Sequence, residues 1–217
     1  MKKLPFNVRF ELEGWTLFWA FLSAEGEAGS ELAALRSEVA EAARDRYPTA
    51  AEITAFPPVG AMRRLFKAAG CDPTRYRPAS EALLRRLVKG ADLPSIHPLV
   101  DVNNCLSAQL AVPCCVMAEG SFGRTLSFRV GRPGESYVSL RGPFKLDSKP
   151  VLFDEDGPLD APITGNEKVM VRPETERAWL VAYLPSSEVT PDHAWQTLEA
   201  LASRSGVAAE RYPAATP

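Results

Sequence analysis

Two adjacent thiols, Cys114 and Cys115, follow a pair of amides, Asn103 and Asn104, in the stretch DVNNCLSAQLAVPCC. Further on, PITGNEK presents Gly165, Asn166 and Glu167. A thiol becomes a nucleophile only where a base or a nearby cation favours the thiolate. The chain holds two histidines, His97 and His193, and each sits at the start of a helix-like run rather than in a pattern with a cysteine. A hydrolase built on Cys114 or Cys115 therefore lacks an evident partner, and small buried core residues are the plainer reading. The asparagines can bond the local backbone or offer amides to a ligand. Glu167 can accept a hydroxyl hydrogen bond in a pocket or stand idle in a turn. No metal site is expected, because the four cysteines form no C-x-x-C pair and no second histidine lies at helical spacing. No cofactor is implied.

These residues need elements to hold them. HPLVDVNNCLSAQLA reads as a helix with Pro98 at its first position and Leu99, Val102, Leu106 and Leu110 as an inward stripe. His97 and Asp101 are then helix-start residues, the carboxylate favoured by the helix dipole. Three helices precede it: 30–46, 57–70 closed by Gly70, and 80–90 with Ser80 as the N-cap and Gly90 as the stop. Residues 6–23 hold two alternating runs around Gly14 and predict a hairpin or bent strand. After Pro113 the pattern changes to short β-type runs: CCVM, TLSFRV, SYVSL, VLFD, VMVRP and AWLVAYL. A last helix runs from the Thr190 cap and Pro191 to Gly206, and 207–217 reads as a fraying tail. The order predicts an α+β fold, a largely antiparallel sheet packed with about four to five helices.

Apolar residues make up 46% of the 217, enough for a real core. No run approaches the roughly 20 residues that span a bilayer, and the start MKKLPFNVRFELEG has no apolar signal region. The expectation is a cytoplasmic protein with no membrane partner. A net charge of −2 argues against a dedicated non-specific nucleic-acid binder. The stretch 63–89 is nevertheless basic: Arg63, Arg64, Lys67, Arg75, Arg77, Arg85, Arg86 and Lys89 face only Asp72 and Glu81. It reads equally as solvated helix faces or as a phosphate-facing patch.

Three stretches in order resemble a known family. RYRPASEALLRRLVKGADLPSIHPLVDVNNCLSAQLAVP, GRPGESYVSLRG and PITGNEKVMVRPETERAWLVAYLP are similar to the B3/B4 module, the tRNA-binding and editing module of the bacterial phenylalanyl-tRNA synthetase β chain. The resemblance is strongest over 75–185; residues 1–50 supply a strand and helix lead-in, and the whole of 1–217 is expected to form one B3/B4-like unit. The chain shows no ATP-binding signature, so the resemblance implies an editing-like domain rather than a ligase. It implies a deacylase acting in trans on the ester of a mischarged tRNA, or a non-catalytic module that keeps the fold to bind RNA, tRNA or a small ligand. Asn104 falls on the asparagine of the family's D-V-T-N motif, with Asn103 in place of the threonine. Gly165 and Glu167 fall on its G-G-E segment, whose glutamate resembles a reader of a misplaced tyrosine hydroxyl. The resemblance thus implies a substrate pocket of Asn103, Asn104, Cys115, Gly165 and Glu167. Cys115 stands where the family usually has a histidine, and a thiol cannot copy imidazole hydrogen bonding. No general base is identifiable.

Overall fold

Strand β2 (Trp15–Ala24) is ten residues long and nearly all buried. Its side chains go alternately to two cores: Phe18, Ala20 and Leu22 to one, Trp15, Leu17 and Trp19 to the other. A strand buried on both faces marks a middle layer. A computed structural model describes residues 2–24 and 30–217 of the chain.

The middle layer is a four-stranded antiparallel sheet in the order β11 (Val207–Arg211), β2, β10 (Arg177–Pro185), β3 (Cys114–Ala118). Helices α1 (Ser30–Arg46), α2 (Ala50–Ala55), α4 (Ala79–Val88), α5 (Pro98–Leu110) and α6 (Pro191–Ala202) supply the core on one face. Helix α3 (Pro57–Ala68) sends Met62 and Phe66 to the other. There a five-stranded sheet closes the second core, in the order β1 (Asn7–Phe10), β4 (Thr125–Val130), β7 (Pro150–Asp154), β8 (Gly157–Ala161), β9 (Thr164–Gly165). It is antiparallel apart from the β1–β4 pair. A separate hairpin, β5 (Ser136–Ser139) with β6 (Gly142–Lys145), adds Tyr137 to a small third cluster with Val151 and Phe153. The fold is α+β, with six helices among the described residues.

Four expectations are corrected. Residues 6–23 do not form a hairpin: β1 pairs parallel with β4, and β2 belongs to the other sheet. Strand β2 is apolar on both faces, so it enters the middle layer and leaves β1 at the edge of the outer one. Ser80 is not the cap of α4. The N-cap is Pro78, and the buried Ser80 hydroxyl donates to the Ala111 carbonyl at 3.2 Å. VMVRP is no strand: a short 3-10 turn at Glu167–Val169 precedes an irregular segment. The 207–217 segment does not fray either. It forms β11, and Ala215 continues the pairing to Leu17.

The start of α5 follows its sequence. His97 is the N-cap and its Nδ1 accepts from the Leu99 amide at 3.3 Å, with Pro98 in the first turn. Asp101 is fully buried; it accepts from the Ile96 amide at 2.9 Å and pairs with Arg36 at 2.7 Å. No helix among the described residues is long and apolar enough to cross a membrane.

Candidate functional site

Strand β3 sorts the candidate residues by its pleat. Successive side chains on a strand leave opposite faces, so Cys114 meets the helical layer and Cys115 meets the space between the two sheets. On the helical side the Asn103 amide donates to the Cys114 carbonyl at 3.4 Å and lies 3.5 Å from Asn104 Oδ1. Asn103 Oδ1 is buried with no hydrogen-bond partner among the described residues. On the other side Cys115 meets Asp160 of β8, a carboxyl buried to 1% exposure. The Tyr183 hydroxyl donates to Asp160 Oδ2 at 2.6 Å.

Asp160 is the centre of this buried group. Burial pushes its carboxyl up to about 7, opposed by hydrogen bonds from Tyr183, Cys115 and the Ala161 amide. Burial likewise pushes the Cys115 and Tyr183 groups well above their ordinary values, and the neighbouring carboxylate adds to both shifts. Gly165 pairs with Asp160 across β8–β9, and a side chain there would begin 3.7 Å from Asp160 Oδ1. Cys115 and Gly165 therefore converge on one carboxyl. Glu167 is exposed at the start of its 3-10 turn. Its neighbour Asn166 is the buried one, donating to the Pro158 carbonyl at 2.7 Å and accepting from the Lys168 amide at 3.0 Å.

The basic stretch divides in a similar way. Glu81 is wholly buried and gathers Arg63 at 2.9 Å, Arg85 at 2.9 Å and Arg77 at 3.9 Å. Arg64 is exposed, 3.8 Å from Glu188, and Lys67 is exposed on α3. Arg75, Arg77, Arg85, Arg86 and Lys89 line one groove of about 540 Å³ between α4 and the β5–β6 hairpin. Arg141, 52 positions beyond Lys89 in the chain, joins them from the hairpin. Tyr76 and Phe144 lie in the same wall, edge to face at 6.2 Å. The buried Lys149 holds them from beneath, its ammonium 3.9 Å from the Tyr76 ring centroid. Among the described residues no acidic side chain lines the groove. Its floor includes Ile163 and Thr164, and the Thr164 carbonyl accepts from the buried Tyr137 hydroxyl at 2.5 Å. The same β8–β9 turn thus underlies the groove and covers Asp160.

A sequence profile of the B3/4 domain matches residues 61–201, about two thirds of the chain. The chain belongs to the B3/4 domain family. The groove and the Asp160 group both lie inside the B3/4 span. No curated protein matches the chain. Among solved structures, an N-terminal fragment of the phenylalanyl-tRNA synthetase beta subunit from Pyrococcus horikoshii aligns at a TM-score of 0.49 and 10% identity, over 96% of this chain and 51% of that one. This B3/4 chain spans about half the length of that fragment.

Sequence reasoning on this B3/4 domain missed Asp160, Tyr183 and Arg141. Asp160 had a signal, an aspartate inside the apolar run PLDAPI, since an acid in a buried strand needs a partner. Arg141 had none, because only the hairpin's docking brings it to α4.

Proposed function

We propose that this B3/4 domain, residues 1–217 working as one unit, binds the acceptor end of an aminoacylated tRNA in the groove between α4 and the β5–β6 hairpin. The single observation that carries this reading is the lining. Six basic side chains and two aromatic rings share it, and none of its side chains is acidic. Guanidinium groups contact phosphates and aromatic rings stack bases, the two devices by which single-stranded RNA is held. The chain as a whole carries −2, so the attraction is local. Binding should therefore be modest and fall quickly with salt. Titration of labelled tRNA at two salt concentrations tests it, and affinity that ignores both salt and Arg86→Ala would sink the idea.

A second reading, hydrolysis of the aminoacyl ester in trans, is favoured by Asp160, a carboxyl near neutrality under the groove's floor. In that reaction a water attacks the ester carbonyl carbon and passes a proton to the Asp160 carboxylate. The ester C–O bond breaks and the ribose oxygen leaves with the proton that Asp160 returns to it, which restores the carboxylate. Of the residues singled out in the sequence, Cys115 and Gly165 lie on the Asp160 side of the middle sheet and would face the amino-acid part, whereas Asn103 and Asn104 lie on the helical side and Glu167 is exposed. Cys114 and Cys115 are poor nucleophile candidates, because burial holds both thiols protonated. Incubation with a panel of mischarged tRNAs decides: binding without deacylation of any of them leaves the RNA-binding module alone.

A further inference from the structure

A second cavity, of about 560 Å³, lies in the helical layer and shares no lining residue with the groove. It opens where the ends of α1 and α5 meet the starts of α3 and α6. Its wall is largely apolar, with Val39, Phe56, Pro57 and Val189 among the lining. Tyr47 lines it too. That residue is 2% exposed, and its hydroxyl is buried with no hydrogen-bond partner among the described residues. A buried hydroxyl left unpaired is costly, and native folds hold few of them.

The neighbours of that hydroxyl indicate which partner is missing. The Tyr47 ring meets Phe56 edge to face at 5.4 Å, and the Arg46 guanidinium stands 6.0 Å and 5.9 Å from the two ring centroids. Burial raises the Tyr47 hydroxyl above its ordinary value, and Arg46 opposes that shift. The hydroxyl therefore keeps its proton and has it to donate. Arg46 is exposed in the same wall; among the described residues its side chain bonds the Gln109 carbonyl at 3.1 Å and pairs with no carboxylate. A proton without an acceptor beside a cation without an anion calls for one group that serves both. Glu188, also in the wall, is not that group: it stands 3.8 Å from Arg64 and accepts from the Ser187 hydroxyl at 3.4 Å.

We infer that this cavity binds a small carboxylate with an apolar body, such as an aliphatic or aromatic monocarboxylic acid. The carboxylate accepts from Arg46 and from the Tyr47 hydroxyl, both charge-assisted bonds. The body lies against Phe56, Pro57 and Val189. The volume suits such a ligand, since small-molecule sites run from about 300 to 1,000 Å³. The site is separate from the RNA groove and does not rest on the RNA reading.

Isothermal titration calorimetry of the full chain tests it, with 3-phenylpropanoate, hexanoate and phenylalanine as ligands and 3-phenylpropanamide as the uncharged control. The two acids should bind at least about tenfold more tightly than the amide. Phenylalanine binding more tightly than 3-phenylpropanoate would narrow the class to free amino acids, and weaker binding to acids without the amine. Tyr47→Phe should lower acid affinity about tenfold. It should leave the urea midpoint of the free protein unchanged or higher, because it deletes an unpaired hydroxyl. Arg46→Gln should weaken the acids at least as much and leave the amide unchanged. The inference is overturned by equal binding of acid and amide, by no binding of any probe at about 10 mM, or by acid affinity that Tyr47→Phe leaves intact. A lower urea midpoint for free Tyr47→Phe would mean that the hydroxyl is already paired, and overturns it as well.

Discussion

The Tyr183 hydroxyl donates to the Asp160 carboxyl across 2.6 Å, joining the two sheets through a pair of fully buried groups. Asp160 sits at about 7 because burial disfavours its anion more than Tyr183 and Cys115 favour it. Unfolded, the same carboxyl titrates near 3.9. The folded state therefore holds a proton that the unfolded state has lost between about pH 4 and 7. Stability from this group falls as pH rises through that window and is level above it. Asp154 shifts the opposite way, its opposing contacts led by the Lys168 hydrogen bond, so the Asp160 effect is read as a difference. In urea denaturation, wild type should lose stability relative to the non-titrating Asp160→Asn as pH rises from about 4 to 7, with no further change above it; parallel curves, or a relative gain for wild type as pH rises, would refute the assignment.

Glu81 should be a stability residue, not a binding one. Removing one member of a buried ion pair costs about 3–5 kcal/mol. Arg63 and Arg85 are 20% and 28% exposed and can turn toward water, so Glu81→Ala should cost about 3 kcal/mol. Chemical denaturation measures it. A loss below about 1 kcal/mol would mean the pairs behave as surface pairs do.

Arg86→Ala and Arg141→Ala should weaken RNA binding without lowering stability, since both side chains are exposed. Each lost phosphate contact should also reduce the log–log salt slope by about 0.7–0.9. An unchanged slope with weaker binding would assign the arginines to bases instead.

All four thiols should resist alkylation in the native protein. Burial raises Cys71 to about 11 and Cys105 to about 12, and raises Cys114 and Cys115 as well. Mass spectrometry after iodoacetamide at neutral pH should find no rapid label until urea is added. Rapid native labelling of Cys115 would restore the cysteine-hydrolase reading.

Deleting 207–217 should be costly. The deletion removes the β2 pairing of β11, the buried Val207, and the Tyr212 ring set 4.8 Å from Trp179. It also leaves an apolar strand edge open to aggregation. A loss of about 2–4 kcal/mol corresponds to a Tm lower by roughly 4–16 °C for a chain of this size. A Tm within about 1 °C of wild type would show that β11 adds nothing.

Sequence by itself determined five of the six helices among the described residues, all but α2, and the starts of α5 and α6. Leu32, Leu35 and Val39 recur at helical spacing in α1, and Pro98 and Pro191 stand in the first turns of α5 and α6. Local rules suffice there, because caps and periodicity act over a few residues. It also disclosed five of the groove's basic residues, which are neighbours along the chain. Tertiary structure alone decided which charges face out: Arg63 turns toward Glu81, while Arg86 stays exposed. It brought Arg141 to α4 and set Asp160 against Tyr183, 23 residues away. It sent Cys114 and Cys115 to opposite faces of β3 and left Glu167 exposed. Residue type gives each group its chemistry, but partner and solvent set its charge state, and both depend on contacts between elements far apart in the chain.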